Sequence, residues 1–279
     1  MTEPRVEQRS PEGYLLGHSA RELDRLGTQA RVVDPITRRF FLGAGLAPGM
    51  RVLDIGSGAG DVAFLAADIV GESGEVIGVD RVASALEVAR SRTQKRSLRH
   101  VTFREGDPAA MKFDRPFDAV VSRYVLMFQP DPVAMLRSIA GHLGPRGLIV
   151  CHEPHWTPVR SFPTVSSYDQ CYDWVERTVL ASGTDPHMGL RLHATFIAAG
   201  LAAPTMRVEA LVGGGTNSVD TATLLADLTE TLVPAMERMG VASAAEVDQE
   251  SLAPRMIEEA VARNGVLVGR LEVGAWARA

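Results

Sequence analysis

Hydrophobic and polar positions between residues 50 and 155 follow two alternating periods. Short apolar runs, typical of strands buried on both faces, alternate with segments whose apolar residues recur at helical spacing. Such repeated strand–helix units predict an α/β fold with a mostly parallel sheet and right-handed crossovers. The predicted strands are RVLDI (51–55), EVIGVD (75–80), VTFRE (101–105), FDAVVSR (117–123) and GLIVCHE (147–153).

The N-terminal segment has a different pattern. Residues 19–43 carry apolar positions at helical spacing. We expect this helix to break at Asp34-Pro35, because a residue that precedes proline disfavours the helical conformation. The pattern predicts an N-terminal helical lid over residues 1–45 and a core over residues 46–279.

The strand–helix rhythm also changes after Glu153. Two mainly helical stretches, at about 155–188 and 216–263, are predicted to be cap insertions that cover one end of the sheet. Two late strands are predicted at 205–213 and 266–277.

A glycine-rich loop follows the first strand in the stretch VLDIGSGAGD. Gly56, Gly58 and Gly60 allow a ligand to approach the main chain, and Asp61 stands where the next helix begins. A dinucleotide fingerprint, G-x-G-x-x-G, would have its third glycine at position 61. Negative charge there disfavours a pyrophosphate. The loop therefore predicts a cationic ligand without phosphates, and S-adenosylmethionine fits.

Two acidic positions follow the next strands. Asp80 ends the second strand, 22 residues beyond Gly58, where a carboxylate can accept hydrogen bonds from both hydroxyls of a ribose. Asp107 follows the third strand and can accept a hydrogen bond from the adenine amino group. The alternative for Asp107 is a turn residue before Pro108.

The stretch from about Met50 to Glu153 resembles the class I S-adenosylmethionine-dependent methyltransferases. VLDIGSGAGD resembles their first motif, VIGVD their ribose loop, EGDPAAMKF their adenine loop, FDAVVSRYVLMF their fourth strand and LGPRGLIVCHEP their fifth. The layout is most similar to small-molecule enzymes, including quinone-biosynthesis and natural-product methyltransferases. The resemblance implies a Rossmann-like seven-stranded sheet, mostly parallel, in the order 3-2-1-4-5-7-6.

The resemblance also implies which residues contact the cofactor. Asp54 would orient the amino group of the cofactor, and Asp80 would hold its ribose. An aromatic residue in the N-terminal GYLLGHS segment would cover the cofactor. The alternatives are that Asp54 bonds loop amides, that Arg123 pairs with a carboxylate of an insertion, and that Tyr14 only packs. The implied cofactor residues are Tyr14, Asp54, Gly56, Ser57, Gly58, Gly60, Asp80, Arg81, Asp107, Pro108, Ser122 and Arg123.

Three candidate catalytic residues lie at the end of the fifth strand, in CHEPHW. Strand alternation places His152 and Glu153 on opposite sides of the sheet. We expect His155 or Glu153 to orient or deprotonate the acceptor, although a base is needed only when the nucleophile arrives protonated. The alternative is a structural Glu153 and a His155 that is only a loop residue.

Aromatic residues in the first insertion predict an acceptor pocket with apolar walls. The alternative is a helix face that packs on the core. These aromatics are Trp156, Phe162, Tyr168, Tyr172 and Trp174.

Composition narrows the function further. The chain has 279 residues, is 46% hydrophobic and carries a formal net charge of −5, which argues against a nucleic-acid partner. No stretch approaches the ~18 apolar residues of a membrane helix, and the N-terminus lacks the apolar core of a signal peptide. These features predict a cytoplasmic protein without a membrane partner. Its two cysteines lack the spacing of a zinc site, and we expect chemistry without a metal.

The predicted function is transfer of a methyl group from S-adenosylmethionine to oxygen, nitrogen or carbon of a small, partly apolar acceptor, with S-adenosylhomocysteine as product. One alternative keeps the fold and cofactor for other chemistry, such as cyclisation. Another is a protein that binds S-adenosylmethionine without turnover. The oligomeric state stays open, with a homodimer as one candidate.

Overall fold

The computed structural model describes residues 20–279, with side chains from residue 30 onward. The predicted lid residue Tyr14 lies outside the described residues. The strands are β1 (Arg51–Ile55), β2 (Glu75–Asp80), β3 (Val101–Glu105), β4 (Phe117–Arg123), β5 (Leu143–His155), β6 (Ser161–Phe162), β7 (Thr205–Gly214) and β8 (Val266–Arg278). The helices are α1 (Ala20–Ala44), α2 (Asp61–Val70), α3 (Ala83–Lys95), α4 (Pro132–Ala140), α5 (Ser166–Ala181), α6 (Met188–Ala198), α7 (Val219–Arg238), α8 (Ala244–Val247) and α9 (Leu252–Ala262).

The described strands form one sheet, and the predicted fold is confirmed. The seven longer strands lie in the order β3-β2-β1-β4-β5-β8-β7, which is the expected order 3-2-1-4-5-7-6. β1 to β5 are parallel, and β8 is antiparallel to both β5 and β7. The additional strand is the two-residue β6, which pairs with Val266 and Leu267 of β8, beyond the last β5 pair at Leu271. So short a pairing leaves no periodic signal in the sequence.

Both faces of the sheet are covered by apolar side chains. Val52 of β1 packs with residues of α1, α2 and α3 on one face, and Leu53 packs on the other face with residues of α4, α5, α6, α7 and α9. All five residues of β1 are buried in consequence. This double burial is why the strands read as continuous apolar runs.

Helix α1 continues through Pro35, and the predicted break at Asp34-Pro35 is wrong. Proline removes one backbone donor, but the side chains around it are held by tertiary contacts. Asp34 pairs with Arg123 of β4 at 2.7 Å, and Nη1 of Arg123 also donates to Oγ1 of Thr37 at 3.0 Å. Buried residues before and after the proline, such as Val33 and Phe40, keep both halves against the protein. Packing therefore outweighs the local preference.

The segments predicted as cap insertions are mainly helical, as the sequence pattern indicates. The stretch 155–188 holds β6 and α5, and 216–263 holds α7, α8 and α9. α5, α7 and α9 pack on one another. The division into a lid, a core and caps stays a prediction.

Candidate active site

The loop between β1 and α2 has a conformation that requires glycine. Gly56, Gly58 and Gly60 have φ angles of +66°, +50° and +93°. The backbone N–H groups of Gly56 and Ser57 both donate to the carbonyl oxygen of Val79, at 2.8 and 3.0 Å. A Cβ added to Gly56 would lie 2.6 Å from Cγ2 of Val125, so this loop packs directly on the chain that follows β4.

Asp80 fixes the loop from the end of β2. Its Oδ2 accepts the N–H of Gly58 at 2.8 Å, and its Oδ1 accepts the N–H of Val82 at 2.9 Å. A Cβ added to Gly58 would meet none of the described atoms within 4 Å. The structure therefore holds open space at Gly58, beside a carboxylate that keeps further lone pairs for a ligand.

The three residues expected at the adenine lie close together. Arg81 pairs with Oδ2 of Asp107 at 2.8 Å, with both side chains exposed. Oδ1 of Asp107 accepts the N–H of Ala109 at 3.0 Å, which is the turn role that the sequence offered as an alternative. The adjacent Pro108 is buried, and its carbonyl oxygen lies 2.6 Å from Nε2 of His142.

Asp54 is a buried carboxylate without a satisfactory partner. Neither oxygen makes a regular hydrogen bond to a described residue, although the amide of Ala63 helps to stabilise the charge. Burial raises the pKa of Asp54 well above its usual range, and Arg123 only partly opposes this. Oγ of Ser57 is also buried without a partner in the part of the chain that is described. Unpaired acceptors of this kind fit a ligand that supplies donors, such as an ammonium group.

Asp61 does not by itself set the charge of the site. It pairs with Arg92 at 2.6 Å, and Arg92 also donates to the carbonyl oxygen of Ala59 at 2.7 Å. This pairing compensates part of the charge, and the expectation that Asp61 disfavours a pyrophosphate stays a prediction. Burial is the main reason that the pKa of Asp54 is raised, and the charges of Asp80 and Asp61 raise it further.

Arg123 and Ser122 lie on opposite faces at the end of β4. The guanidinium of Arg123 is buried and donates to Asp34 at 2.7 Å and to Thr37 at 3.0 Å. The alternative that Arg123 pairs with a carboxylate of an insertion is wrong, because its partner is Asp34 of α1. Ser122 is buried beside Cys151, its neighbour on β5.

The carboxylate of Glu153 is hydrogen-bonded to backbone N–H groups. Its side chain is fully buried, and its carboxylate accepts the N–H groups of Val125 at 2.9 Å, Leu126 at 2.8 Å and Met127 at 3.3 Å. Burial raises the pKa of Glu153 to about 7, against the three amide donors. This arrangement favours the structural alternative, in which Glu153 fixes the turn after β4.

His152 is buried on the other side of the sheet, as the alternation predicts. Its Nδ1 lies 3.0 Å from Oγ1 of Thr37, and its Nε2 lies 2.9 Å from Oε2 of Glu272. Burial lowers the pKa of His152 and favours the neutral ring. Since an ionised carboxylate only accepts hydrogen bonds, Nε2 carries the hydrogen and Nδ1 accepts from Thr37.

His155 is partly exposed, unlike the other two candidate catalytic residues, His152 and Glu153. Its Nδ1 lies 3.3 Å from the carbonyl oxygen of His187, and the two rings have centroids 5.1 Å apart. This contact turns His155 towards the start of α6.

A small pocket, partly open to solvent, lies between the cap helices and β8. None of the three candidate catalytic residues belongs to its walls. Three of the predicted aromatics do, whereas Trp174 is buried elsewhere and Phe162 is 80% exposed. The walls are Trp156, Tyr168, Tyr172, Leu211, Thr221, Leu224, Leu225, Leu228, Gly269, Arg270 and Glu272.

Sequence reasoning missed a polar group at this pocket. Tyr124 donates its hydroxyl hydrogen to Oε2 of Glu272 at 2.7 Å and accepts from Nη2 of Arg270 at 3.0 Å. Nε of Arg270 donates to Oε1 of Glu272 at 3.1 Å. Burial opposes ionisation of Glu272, but Arg270 and His152 hold its pKa down to about 2. Two charges spaced by one residue in the middle of β8, where the other residues up to Ala277 are uncharged, are the signal that could have identified Arg270 and Glu272.

The described residues contain neither a candidate membrane-spanning helix nor a candidate metal site. No helix among them is both long and apolar enough to cross a membrane. Within the same part of the chain, no group of three or more His, Cys, Asp or Glu residues is placed to hold a metal ion. Chemistry without a metal stays a prediction.

The sequence matches a family model described as a methyltransferase domain over residues 46–192, slightly more than half of the chain. The chain is 32% identical over 133 residues to demethylmenaquinone methyltransferase of Lactococcus lactis, covering 47% of this chain and 50% of that protein. It is also 36% identical over 137 residues to aklanonic acid methyltransferase of Streptomyces sp.. This match covers 49% of this chain and 61% of that protein. The chain thus matches about half the length of these curated relatives.

Solved structures share the fold. One is a putative methyltransferase from Bacillus halodurans, with a TM-score of 0.56 at 18% identity, covering 86% of this chain and 96% of the other. Another is a putative sarcosine dimethylglycine methyltransferase from Galdieria sulphuraria, with a TM-score of 0.55 at 14% identity. This match covers 95% of this chain and 91% of the other. These structures confirm the fold, and the family model confirms the resemblance that the sequence motifs carried.

Proposed function

We propose that this chain, which belongs to the methyltransferase domain family, transfers a methyl group from S-adenosylmethionine to a small, partly apolar acceptor. One observation carries the proposal. The open space at Gly58 is bordered by Asp80, which holds the loop, while the carboxylate of Asp54 is buried nearby without a regular partner. A ligand with a ribose and an ammonium group would satisfy both acids.

Different residues around the loop would bind different parts of the cofactor. Asp54 would accept from its ammonium group, and Asp80 from its ribose hydroxyls. When bound, S-adenosylmethionine supplies an electrophilic methyl group. The remaining candidates stay proposals: Gly56, Ser57, Gly60, Ser122 and Arg123 towards the methionine part, and Arg81, Asp107 and Pro108 towards the adenine.

The acceptor would bind in the aromatic pocket beside this loop. Val125 packs against Gly56 of the loop, and the preceding residue, Tyr124, contacts Arg270 and Glu272 of the pocket wall. Two adjacent residues therefore join the two sites. Positioning the acceptor next to the cofactor supplies much of the rate in a displacement of this kind.

A general base remains a separate proposal. His152 and Glu153 are fully buried and held by other groups, which leaves His155 as the candidate with solvent access. Its ring would have to turn from His187 to reach an acceptor. An acceptor that arrives ionised needs no base at all.

Calorimetry and an assay of methyl transfer test the proposed function. We expect the protein to bind S-adenosylhomocysteine and not NAD, and to produce S-adenosylhomocysteine when S-adenosylmethionine is supplied with an acceptor retained during purification. Binding of NAD alone would contradict the proposal. Conversion of the acceptor without methylation would favour the cyclisation alternative, and binding without turnover would favour the non-catalytic one.

The partners and location follow the same reasoning. Demethylmenaquinone and aklanonic acid methyltransferases are named for small-molecule substrates, which supports a small-molecule acceptor here. A cytoplasmic location, no nucleic-acid or membrane partner and a homodimer as one candidate assembly stay predictions of the sequence.

A further inference from the structure

The charged residues of the aromatic pocket form an ordered hydrogen-bond network. Glu272 accepts three donors: Nε of Arg270 on Oε1, and both the Tyr124 hydroxyl and Nε2 of His152 on Oε2. His152 is held in turn by Thr37 of α1. The carboxylate is 1% exposed, so its charge is spread over these donors rather than offered to solvent.

One of the three nitrogens of the Arg270 guanidinium makes no hydrogen bond to the described side chains. Its Nε and Nη2 are used by Glu272 and Tyr124, whereas Nη1 has no hydrogen-bond partner among residues 30–279. The guanidinium is held in place by the rings of Tyr124 and Trp156, whose centroids lie 5.0 and 5.9 Å from its central carbon. A guanidinium fixed at two nitrogens presents the third in one direction, which suits recognition of an anionic oxygen.

The other walls of the pocket are apolar. Three aromatic side chains and four leucines surround the space, and the hydroxyls of Tyr168 and Tyr172 are already hydrogen-bonded to the backbone of Val268 and Thr157. Flat rings pack well against aromatic walls. The pocket thus combines largely apolar walls with the paired charges of Arg270 and Glu272.

We propose that Arg270 is the specificity-determining residue of the acceptor site, where its Nη1 binds an anionic oxygen on a flat, apolar acceptor. Glu272, Tyr124 and His152 are positioning residues, because they hold the guanidinium and are not free to bind the acceptor themselves. The inference rests on the proposed function, since it takes this pocket as the acceptor site.

Two probes of equal shape test the charge preference. 2-Naphthoate and 2-naphthamide are both flat and differ in the anionic oxygen. We expect 2-naphthoate to bind at least about tenfold more tightly in the presence of S-adenosylhomocysteine, as measured by calorimetry, which corresponds to about 1.4 kcal/mol. Equal affinities, or no measurable binding of 2-naphthoate, would overturn the inference.

Variants locate the preference at Arg270. Arg270→Gln is expected to remove the tenfold difference, and Arg270→Lys to reduce it, because lysine cannot hold Glu272, Tyr124 and a ligand together. Arg191→Gln is the matched control, since Arg191 forms an exposed ion pair with Asp185 outside the pocket. A preference that survives in Arg270→Gln would also overturn the inference. If Arg270→Gln fails to fold, the comparison of probes on the unmodified protein still decides.

A separate titration with S-adenosylhomocysteine keeps the two proposals distinguishable. Binding of S-adenosylhomocysteine without a preference for 2-naphthoate rejects the role of Arg270 and leaves the proposed function intact. No binding of S-adenosylhomocysteine rejects the proposed function, and the pocket is then not an acceptor site.

Discussion

Nε2 of His152 lies 2.9 Å from Oε2 of Glu272, and both side chains are closed to solvent. His152 sits opposite Gly274 in the antiparallel pairing of β5 with β8, and Glu272 is the diagonal neighbour. Gly274 leaves room for the ring of Phe40, which meets the imidazole edge to face at 5.0 Å. A histidine that the sequence suggested for catalysis is thereby part of a buried hydrogen-bond network.

This pair predicts how stability depends on pH. The pKa of Glu272 is about 2 in the folded protein, against an ordinary value of 4.5. A depressed carboxyl pKa contributes stability that is present above pH 4.5 and lost as the pH falls towards 2. That contribution is about 3 kcal/mol at roughly 1.4 kcal/mol for each pKa unit. We therefore expect the free energy of unfolding of Glu272→Gln, measured with urea at several pH values, to fall less steeply in this range.

Glu250→Gln is the control for this measurement, because Glu250 is exposed. Its stability curve should run parallel to that of the unmodified protein. If the Glu272→Gln curve is also parallel, the buried carboxylate is not the source of the acid-sensitive stability.

Replacement of Glu153 is expected to lower the stability of the protein rather than to remove a catalytic group. Glu153→Ala would leave three amide N–H groups after β4 without their acceptor, and we expect the free energy of unfolding to fall by about 3 kcal/mol. Glu153→Gln retains a carbonyl acceptor and should keep most of the turnover. Urea unfolding and a methyl-transfer assay measure the two effects, with Glu87→Ala on the exposed side of α3 as the control. A stable Glu153→Ala protein without turnover would point to catalysis instead.

His155 is the residue whose replacement tests for a general base. If the acceptor arrives protonated, His155→Ala should lower kcat by about 100-fold, the lower end of the usual range, without changing the affinity for S-adenosylhomocysteine. His152→Ala and Glu153→Gln, assayed in parallel, separate this effect from the buried network. Unchanged turnover in all three variants would remove the base hypothesis.

Gly58 predicts a loss of cofactor binding. Its φ of +50° makes Gly58→Ala cost about 1 kcal/mol in backbone strain, and the new Cβ would enter the space proposed for the cofactor. We expect the affinity for S-adenosylhomocysteine to fall at least about tenfold in calorimetry. Gly240→Ala is a matched control, because Gly240 has a φ of +65° and equally open surroundings. Similar Tm shifts in the two variants, with affinity lost in Gly58→Ala alone, are the expected result; equal affinities would place the cofactor elsewhere.

Asp54 predicts proton release when the cofactor binds. Burial raises the pKa of Asp54 well above its usual range, and an ammonium group beside it would favour the ionised form. Binding of S-adenosylhomocysteine should therefore strengthen as the pH rises above the ordinary range of an aspartate, with release of a proton. Calorimetry in buffers of different ionisation enthalpy measures that proton. Asp54→Asn should abolish the release, and a release that persists in this variant would assign it to another group.

The strands of the sheet and the glycine loop were predictable because local patterns encode them. Apolar runs mark strands that are buried on both faces, and glycines mark positions that need a positive φ. The resemblance of the motifs added the order of the late strands, which periodicity alone does not supply. The same local view failed at Pro35, where contacts from Asp34 and Phe40 keep α1 continuous.

The sequence by itself determined the α/β fold, the positions of Asp54 and Asp80 at strand ends, and the family that these positions indicate. Only the tertiary structure decided which groups meet at the pocket. Tyr124 and Glu272 are 148 residues apart in the chain, and His152 and Glu272 are 120 apart. Their contact depends on the antiparallel register of β5 and β8 and on the packing of α1. A side chain's partner across a sheet is set by register and packing, which a pattern along one strand does not contain.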